Sequence, residues 1–341
     1  MLTRIRSSAV AIIAVCGLSA PAAGEVAAFY KDKTVTIMVP SGLGASLGLY
    51  ARLLSQHIRN HIPGNPTVIV TARPGGGGVN GTTYAYNAAP RDGTFIAGIL
   101  PPSVLAPALR GAKFDAAKFQ WLGSITPNPG TVSVWHTAPA QTLDAAKLQP
   151  LVIGATAFGS ETYLTPTLMN ALLGTKFKIV KGYKAGAALN KAMEQGEIQG
   201  RMSYWSGWRS VKPHWLRDKK IVHLLQYGPA IADLPNVPRL SDQVKEEGAK
   251  QIVRFLEVSN NIGLAYWVHP KVPQERLAAL RAAFAATVKD PAFLAAAKKR
   301  RAMVNPITPA KLQRVVAEGL NVTPALIVRM KTVFGFANKK K

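Results

Sequence analysis

Residues 34–59 read as a strand, a glycine-rich turn and a helix in direct succession, and this stretch constrains the fold more than any other. Val35, Ile37 and Val39 alternate along an extended run, as β-branched residues do in a strand with a buried side. Pro40 ends the run because it lacks the N–H that another ladder bond needs. Gly42, Gly44 and Gly48 let the backbone turn, and Leu49, Leu53, Leu54 and Ile58 then follow helical spacing. The first turn of that helix carries unpaired N–H groups, so the corner is an anion receptor if the loop borders open space. If it does not, the glycines only shape a βα turn.

The pattern then repeats. Pro63-Gly64-Asn65-Pro66 turns the chain into a second strand, Thr67–Val70, and Arg73-Pro74 with Gly75–Gly78 leads into a helix over 82–89. Pro90-Arg91-Asp92-Gly93 opens a third strand over 94–100. The order β-α-β-α-β makes a doubly wound parallel half. Two motifs inside it name chemistries. Gly76, Gly78 and Gly81 satisfy G-x-G-x-x-G, but no acid stands about 20 positions on at a strand end, as a dinucleotide site requires. Gly44-Ala45-Ser46-Leu47-Gly48 satisfies the G-x-S-x-G elbow of serine hydrolases, yet a loop separates Val39 from Gly44 where a true elbow turns at once. A hydrolase using Ser46 also needs a histidine downstream. Of His57, His61, His136, His214, His223 and His269, His269 stands in a loop before Pro270.

The ends of the chain bear on where it works. Arg4 and Arg6 precede an apolar run, Ala9 to Leu18, and small residues follow at 19–24. That is the layout of a secretory signal peptide covering 1–24, cleaved after Ala22, Ala23 or Gly24, and the first thirty residues read as lying outside the fold. The only cysteine, Cys16, leaves with the signal, since Val15 rather than a small residue precedes it. No later stretch supplies the ~18 apolar residues of a membrane helix. The net charge is +25, and losing Arg4 and Arg6 lowers it by two. Its lysines and arginines are dispersed, apart from Lys298-Lys299-Arg300-Arg301 and Lys339–Lys341, so the field steers small anions rather than marking a nucleic-acid site.

Several motifs together resemble the substrate-binding receptors of tripartite tricarboxylate transporters, the TctC or Bug family. Val39-Pro40 and Ala51-Arg52 match that family's first strand, loop and helix in spacing. Arg73-Pro74-Gly75 with the glycines after it resembles the family's Arg-Pro-Gly-Ala-Gly-Gly, and Ala89-Pro90-Arg91-Asp92-Gly93-Thr94 its Pro-Asp-Gly-Thr turn. Phe119–Gly123 resembles its crossing strand. Leu151–Thr156 feeds a loop, Ala157–Thr162, that resembles its second ligand loop. Tyr183-Lys184 lies in register with Val-Pro-Tyr-Lys-Gly, Met193–Gly200 resembles its Gly-Gln/Glu-Val-Asp turn, and Leu234-Pro235-Asn236-Val237-Pro238 its Leu-Pro-Asp-Val-Pro. The likeness runs from about residue 30 to 330.

The resemblance implies an α/β protein, a type II periplasmic binding protein with two doubly wound lobes joined by two crossing strands and a ligand cleft between. Residues 28–125 with 259–305 would form lobe 1 and 126–258 lobe 2. Residues 306–341 would add helices packing back on the lobes and a basic tail. It implies a periplasmic monomer in which Ser41, Gly42, Leu43, Gly44, Ala45 and Ser46 face Phe158, Gly159, Ser160 and Thr162, with Tyr183 and Trp205 on the walls. The ligand would be a small organic acid and the partners permease subunits, with no cofactor, metal, catalysis or nucleic acid; a sensor in place of the permease is the alternative, and a Ser46 hydrolase the third. Tyr204–Trp208 serves either as cleft lining or as lobe 2 core, and Glu161 either meets a ligand donor or simply occupies a first-turn position. One departure is clear: Gly48 stands where the family carries an aspartate, with Ala45 and Leu47 replacing a glycine and a polar or aromatic residue.

Overall fold

A computed structural model describes residues 20–337, with side chains from residue 24. The expected signal run from Arg4 to Leu18 and the Lys339–Lys341 tail lie outside the described residues. No helix among the described residues is long and apolar enough to cross a membrane.

Among the described residues, ten strands form two five-stranded sheets. The first holds β1 (Thr34–Val39), β2 (Thr67–Ala72), β3 (Phe95–Gly98), β4 (Gln120–Ser124) and, from far along the chain, β10 (Ala265–Val268). The second holds β5 (Gly130–Trp135), β6 (Leu151–Ala155), β7 (Phe177–Lys181), β8 (Gly200–Tyr204) and β9 (Ile221–Tyr227). Their orders are β2-β1-β3-β10-β4 and β7-β6-β8-β5-β9. In each, three parallel strands are followed by one antiparallel strand, β10 or β5, that pairs on both sides. The two sheets are therefore one plan used twice, the α/β two-lobe architecture that the family resemblance implies.

The chain passes between the sheets twice, after β4 and before β10. These passages bond to each other: Ile125 N–H donates to Leu264 O (3.0 Å), Leu264 N–H to Thr126 O (3.0 Å) and Asn128 N–H to Asn260 O (3.0 Å). Gly263 makes the approach possible. Its φ is +63°, and a Cβ there would lie 2.0 Å from Thr126 O, so only glycine fits.

The core follows from the sequence pattern. Val35, Ile37 and Val39 are fully buried, as their alternation requires. Leu47, Tyr50, Leu53, Leu54 and Ile58 of the Ser46–Ile58 helix pack against them. Phe119 stacks on Trp267 at 3.7 Å between centroids, tying β10 into the first sheet. Two C-terminal helices close the molecule. Leu312 and Val316 of Pro309–Leu320 are buried, and Pro324–Val333 carries Arg329 to Glu246.

One expectation is corrected. The chain does not join the fold only after residue 30: a helix spans Ala20–Tyr30, and Val26 and Tyr30 are buried. Tyr30 Oη donates to Gly93 O (3.1 Å), and the Arg276 guanidinium lies 3.6 Å from the centre of the Phe29 ring. The apolar content of residues 26–30 is core content of the first lobe, contiguous in sequence with the signal-like run and indistinguishable from it by composition.

Candidate functional site

A cavity of about 320 Å³ lies between the sheets. Its position follows from strand polarity, because the loops after β1 and β6 both leave the carboxyl ends of parallel strands, where α/β sheets bind ligands.

The first wall is the Pro40–Leu47 corner with part of the Pro74–Gly78 loop. Ala45 N–H bonds back to Gly42 O (3.1 Å), closing the loop into a turn. The Ser46–Ile58 helix begins with no side-chain cap, so its first amides are not satisfied by its own chain. Arg52, one turn and a half on, donates to Leu43 O (2.9 Å) and holds the loop's shape. Gly48 is packed against the same residue: a Cβ there would sit 2.2 Å from Leu43 O and 2.7 Å from Leu43 Cα. The departure at this position is therefore structural, since an aspartate would require another loop conformation. Ser41 Oγ is buried without a hydrogen-bond partner.

The second wall comes from three segments of the other sheet. Thr156, Ala157, Ser160, Glu161 and Thr162 start the Glu161–Leu173 helix. Gly182–Gly186 starts the Gly186–Glu194 helix, again with no side-chain cap. Arg201–Tyr204 of β8 forms the floor with Gly207 and Trp208. Here the hydroxyls are already engaged. Ser160 Oγ meets Ala157 O (2.7 Å) and Thr162 Oγ1 (2.6 Å), and Thr162 Oγ1 accepts from Thr156 N–H (3.0 Å).

Two ionisable groups are buried in this wall. Arg201 is 6% exposed; its Nε donates to Met202 O (2.9 Å), and its Nη1 donates to Gly186 O (2.6 Å) and Asn190 Oδ1 (2.8 Å). Burial lowers its pKa to about 10, which leaves it a cation at neutral pH. Glu161 is bonded by Tyr204 Oη and by Asn260 Nδ2 (3.1 Å). Burial raises its pKa to about 7, the hydrogen bonds from Tyr204, Tyr227 and Asn260 opposing that rise. Asn260 also donates to Asn128 O (3.1 Å), so Glu161 is tied to the passage between the sheets.

The walls touch at the rim. A Cβ on Gly42 would lie 3.0 Å from Ala185 Cβ, and one on Gly77 would lie 2.8 Å from Gly159 O. Arg110 Nη2 donates to Gly76 O (3.0 Å) and Nη1 to Phe158 O (3.4 Å), spanning the two lobes.

Of the residues expected at the site, Ser41, Gly42, Gly44, Ala45, Ser46, Ser160, Thr162 and Tyr183 line the cavity. Leu43 turns outward and is 38% exposed. Phe158 packs with Tyr163 and Phe336, Gly159 lies against Arg110, and Trp205 is buried against His223. The Tyr204–Trp208 cluster thus divides, Trp205 facing core while Tyr204, Gly207 and Trp208 reach the cavity. Tyr183 Oη donates to Glu197 (2.5 Å). Sequence reasoning passed over Arg201, Asn190 and Asn128. The available signal was an arginine set within the short strand Gly200-Arg201-Met202-Ser203-Tyr204. No histidine lines the cavity beside Ser46, and no acid-histidine-cysteine group able to hold a metal forms among the described residues.

No protein-family model matches the chain, and no curated protein matches it. Its fold is similar to solved structures of periplasmic binding proteins. The periplasmic binding protein BugD shares 20% identity at a TM-score of 0.70, over 89% of this chain and 98% of that one. MatC from Rhodopseudomonas palustris, solved with bound malate, shares 18% at 0.67, over 89% and 99%. Another R. palustris protein, solved with adipate, shares 20% at 0.66, over 89% and 97%. These likenesses establish the two-lobe periplasmic binding protein fold.

Proposed function

We propose that this chain is an exported solute-binding receptor of the TctC/Bug kind, which captures a small organic carboxylate between its lobes in the periplasm and delivers it to a tripartite-type membrane permease. One observation carries the reading: the helices starting at Ser46, Glu161 and Gly186 all begin at one interlobe cavity, each without a side-chain cap. Helix N-termini present free N–H groups and a positive dipole end, so three of them around one space favour an anion. A carboxylate there accepts amide bonds from Ser46 and its neighbours and the hydroxyl of Ser41. The malate and adipate in the similar structures are ligands of this class, and the fold supports closure around them. A ligand touching both walls favours the closed arrangement by its differential contacts, which is how occupancy would be signalled to a permease.

A thermal-shift screen of the mature protein against organic acids, amino acids and sugars tests this. A ligand that binds only the native state adds about 2.7 kcal/mol of stability at a hundredfold excess over its Kd. Shifts with carboxylates, and none with sugars, are expected. Shifts confined to neutral or cationic solutes would overturn the reading.

A further inference from the structure

We infer that Asn128 is a specificity-determining ligand contact, whose carboxamide Nδ2 donates a hydrogen bond to an oxygen of the bound acid from the passage between the sheets. The inference rests on the carboxylate reading above and adds a donor that lies on the crossing itself rather than on a helix start.

Asn128 stands between Pro127 and Pro129. The proline after it restricts it to extended backbone. Three of its four polar groups are then used. Its N–H donates to Asn260 O (3.0 Å), its O accepts from Asn260 Nδ2 (3.1 Å), and its Oδ1 accepts from Ser206 Oγ (2.7 Å). The Ser206 bond sets which end of the carboxamide faces that helix, so Nδ2 is the group left over. It is buried with no hydrogen-bond partner among the described residues, although Asn128 is only 1% exposed and lines the interlobe cavity. An interior amide N–H without a partner costs stability, and such groups are rare.

Eight buried side-chain atoms lack a partner among the described residues, and two of them belong to cavity-lining residues: Ser41 Oγ and Asn128 Nδ2. One sits on the first wall and the other on the passage, so an acid that meets both is held to a lobe and to the crossing together. Asn260, bonded to Asn128, also donates to Glu161 (3.1 Å). An occupied Nδ2 therefore joins the ligand to both passages and, through Asn260, to the second wall. The nitrogen has only donors to offer. It bonds a carboxylate or keto oxygen and leaves an ammonium or amide N–H unsatisfied, which selects acids over amines and amides at that end.

Calorimetric titration of the mature wild type, Asn128→Ala and Asn128→Asp tests this, with malate and adipate or with the acid of the thermal-shift screen that stabilises the wild type most. Alanine removes both the donor and the Ser206 bond. Aspartate keeps the shape and the Ser206 acceptor but turns the donor into an anionic acceptor. A ligand contact predicts binding weakened by about 10-fold in Asn128→Ala and on the order of 100-fold in Asn128→Asp. A residue that only braces the passages predicts the reverse order, because aspartate preserves the brace. A crystal structure of the wild type with the same acid decides where a variant does not fold, with a ligand oxygen expected about 2.7–3.2 Å from Nδ2. Asn128→Asp binding as well as Asn128→Ala or better, or an Nδ2 bonded only to water in that crystal, would overturn the contact and leave the carboxylate reading standing. If the wild type binds no organic acid of the screen, the carboxylate reading itself fails, and this inference with it.

Discussion

The corner after β1 leaves Ser41 Oγ buried and unpaired, whereas the corner after β6 ties Ser160 and Thr162 into bonds with Thr156 and Ala157. Both corners follow a parallel strand and open a thirteen-residue helix. They differ in what is already satisfied. The second wall is preorganised by its own hydrogen bonds and contains both buried charges of the site. The first is uncharged, and its Ser41 Oγ bonds no described residue. A buried hydroxyl gains from a partner, so under the proposed reading a ligand on the Ser41–Ser46 corner would add more at the first wall than at the second, whose hydroxyls are already bonded.

Gly48→Asp attacks the first wall most severely. Its side chain would overlap the Leu43 backbone, and a loss of about 3–5 kcal/mol is expected in denaturant unfolding, with ligand binding abolished. Unchanged stability would show that the corner is adaptable and the contrast between walls too sharp.

Glu161 gives the second wall a pH signature. Its folded pKa of about 7 exceeds the unfolded carboxyl value, so the folded state holds the extra proton. Stability contributed by the protonated form is therefore present at low pH and declines as pH rises from about 4.5 to 7, by about 3 kcal/mol. Glu161→Gln should lack that decline, so the variant's stability falls less than the wild type's as pH rises from about 4.5 to 7. A parallel pair of curves would place the charge elsewhere.

The serines give the direct contrast. Ser160→Ala breaks the loop's internal bonds and should cost about 1–2 kcal/mol without ligand. Ser41→Ala removes an unpaired hydroxyl and should leave unliganded stability within about 0.5 kcal/mol while weakening binding. Equal effects on unliganded stability would erase the distinction.

The first strand-loop-helix corner was legible because it rests on local signals: alternating Val35, Ile37 and Val39, the stop at Pro40, and helical spacing after Gly48. The two-lobe plan was legible only through the spaced motifs that resemble the TctC or Bug family. The corner at 41–46 was legible from those local signals, and Ser160 and Thr162 from the resemblance of their loop to that family's second ligand loop. Direction was not. Phe158 and Trp205 flank cavity residues in sequence but turn to Phe336 and His223, since a loop's identity does not fix which side of it faces inward. Arg201 was missed because one arginine in a strand carries no periodic signal. Its meaning comes from Gly186 and Asn190, which the fold brings to it on the Gly186–Glu194 helix.

The placement of β10 has a consequence for assembly. It lies between β3 and β4, yet the whole second sheet, from Gly130 to Tyr227, separates it from β4 in the chain. A chain emerging from its N-terminus can therefore complete the second sheet first. The first must wait with a central slot open until Trp267 arrives to stack on Phe119. Such long-range closure is slow relative to local pairing, so the first-made half of the binding cleft is the last to become rigid.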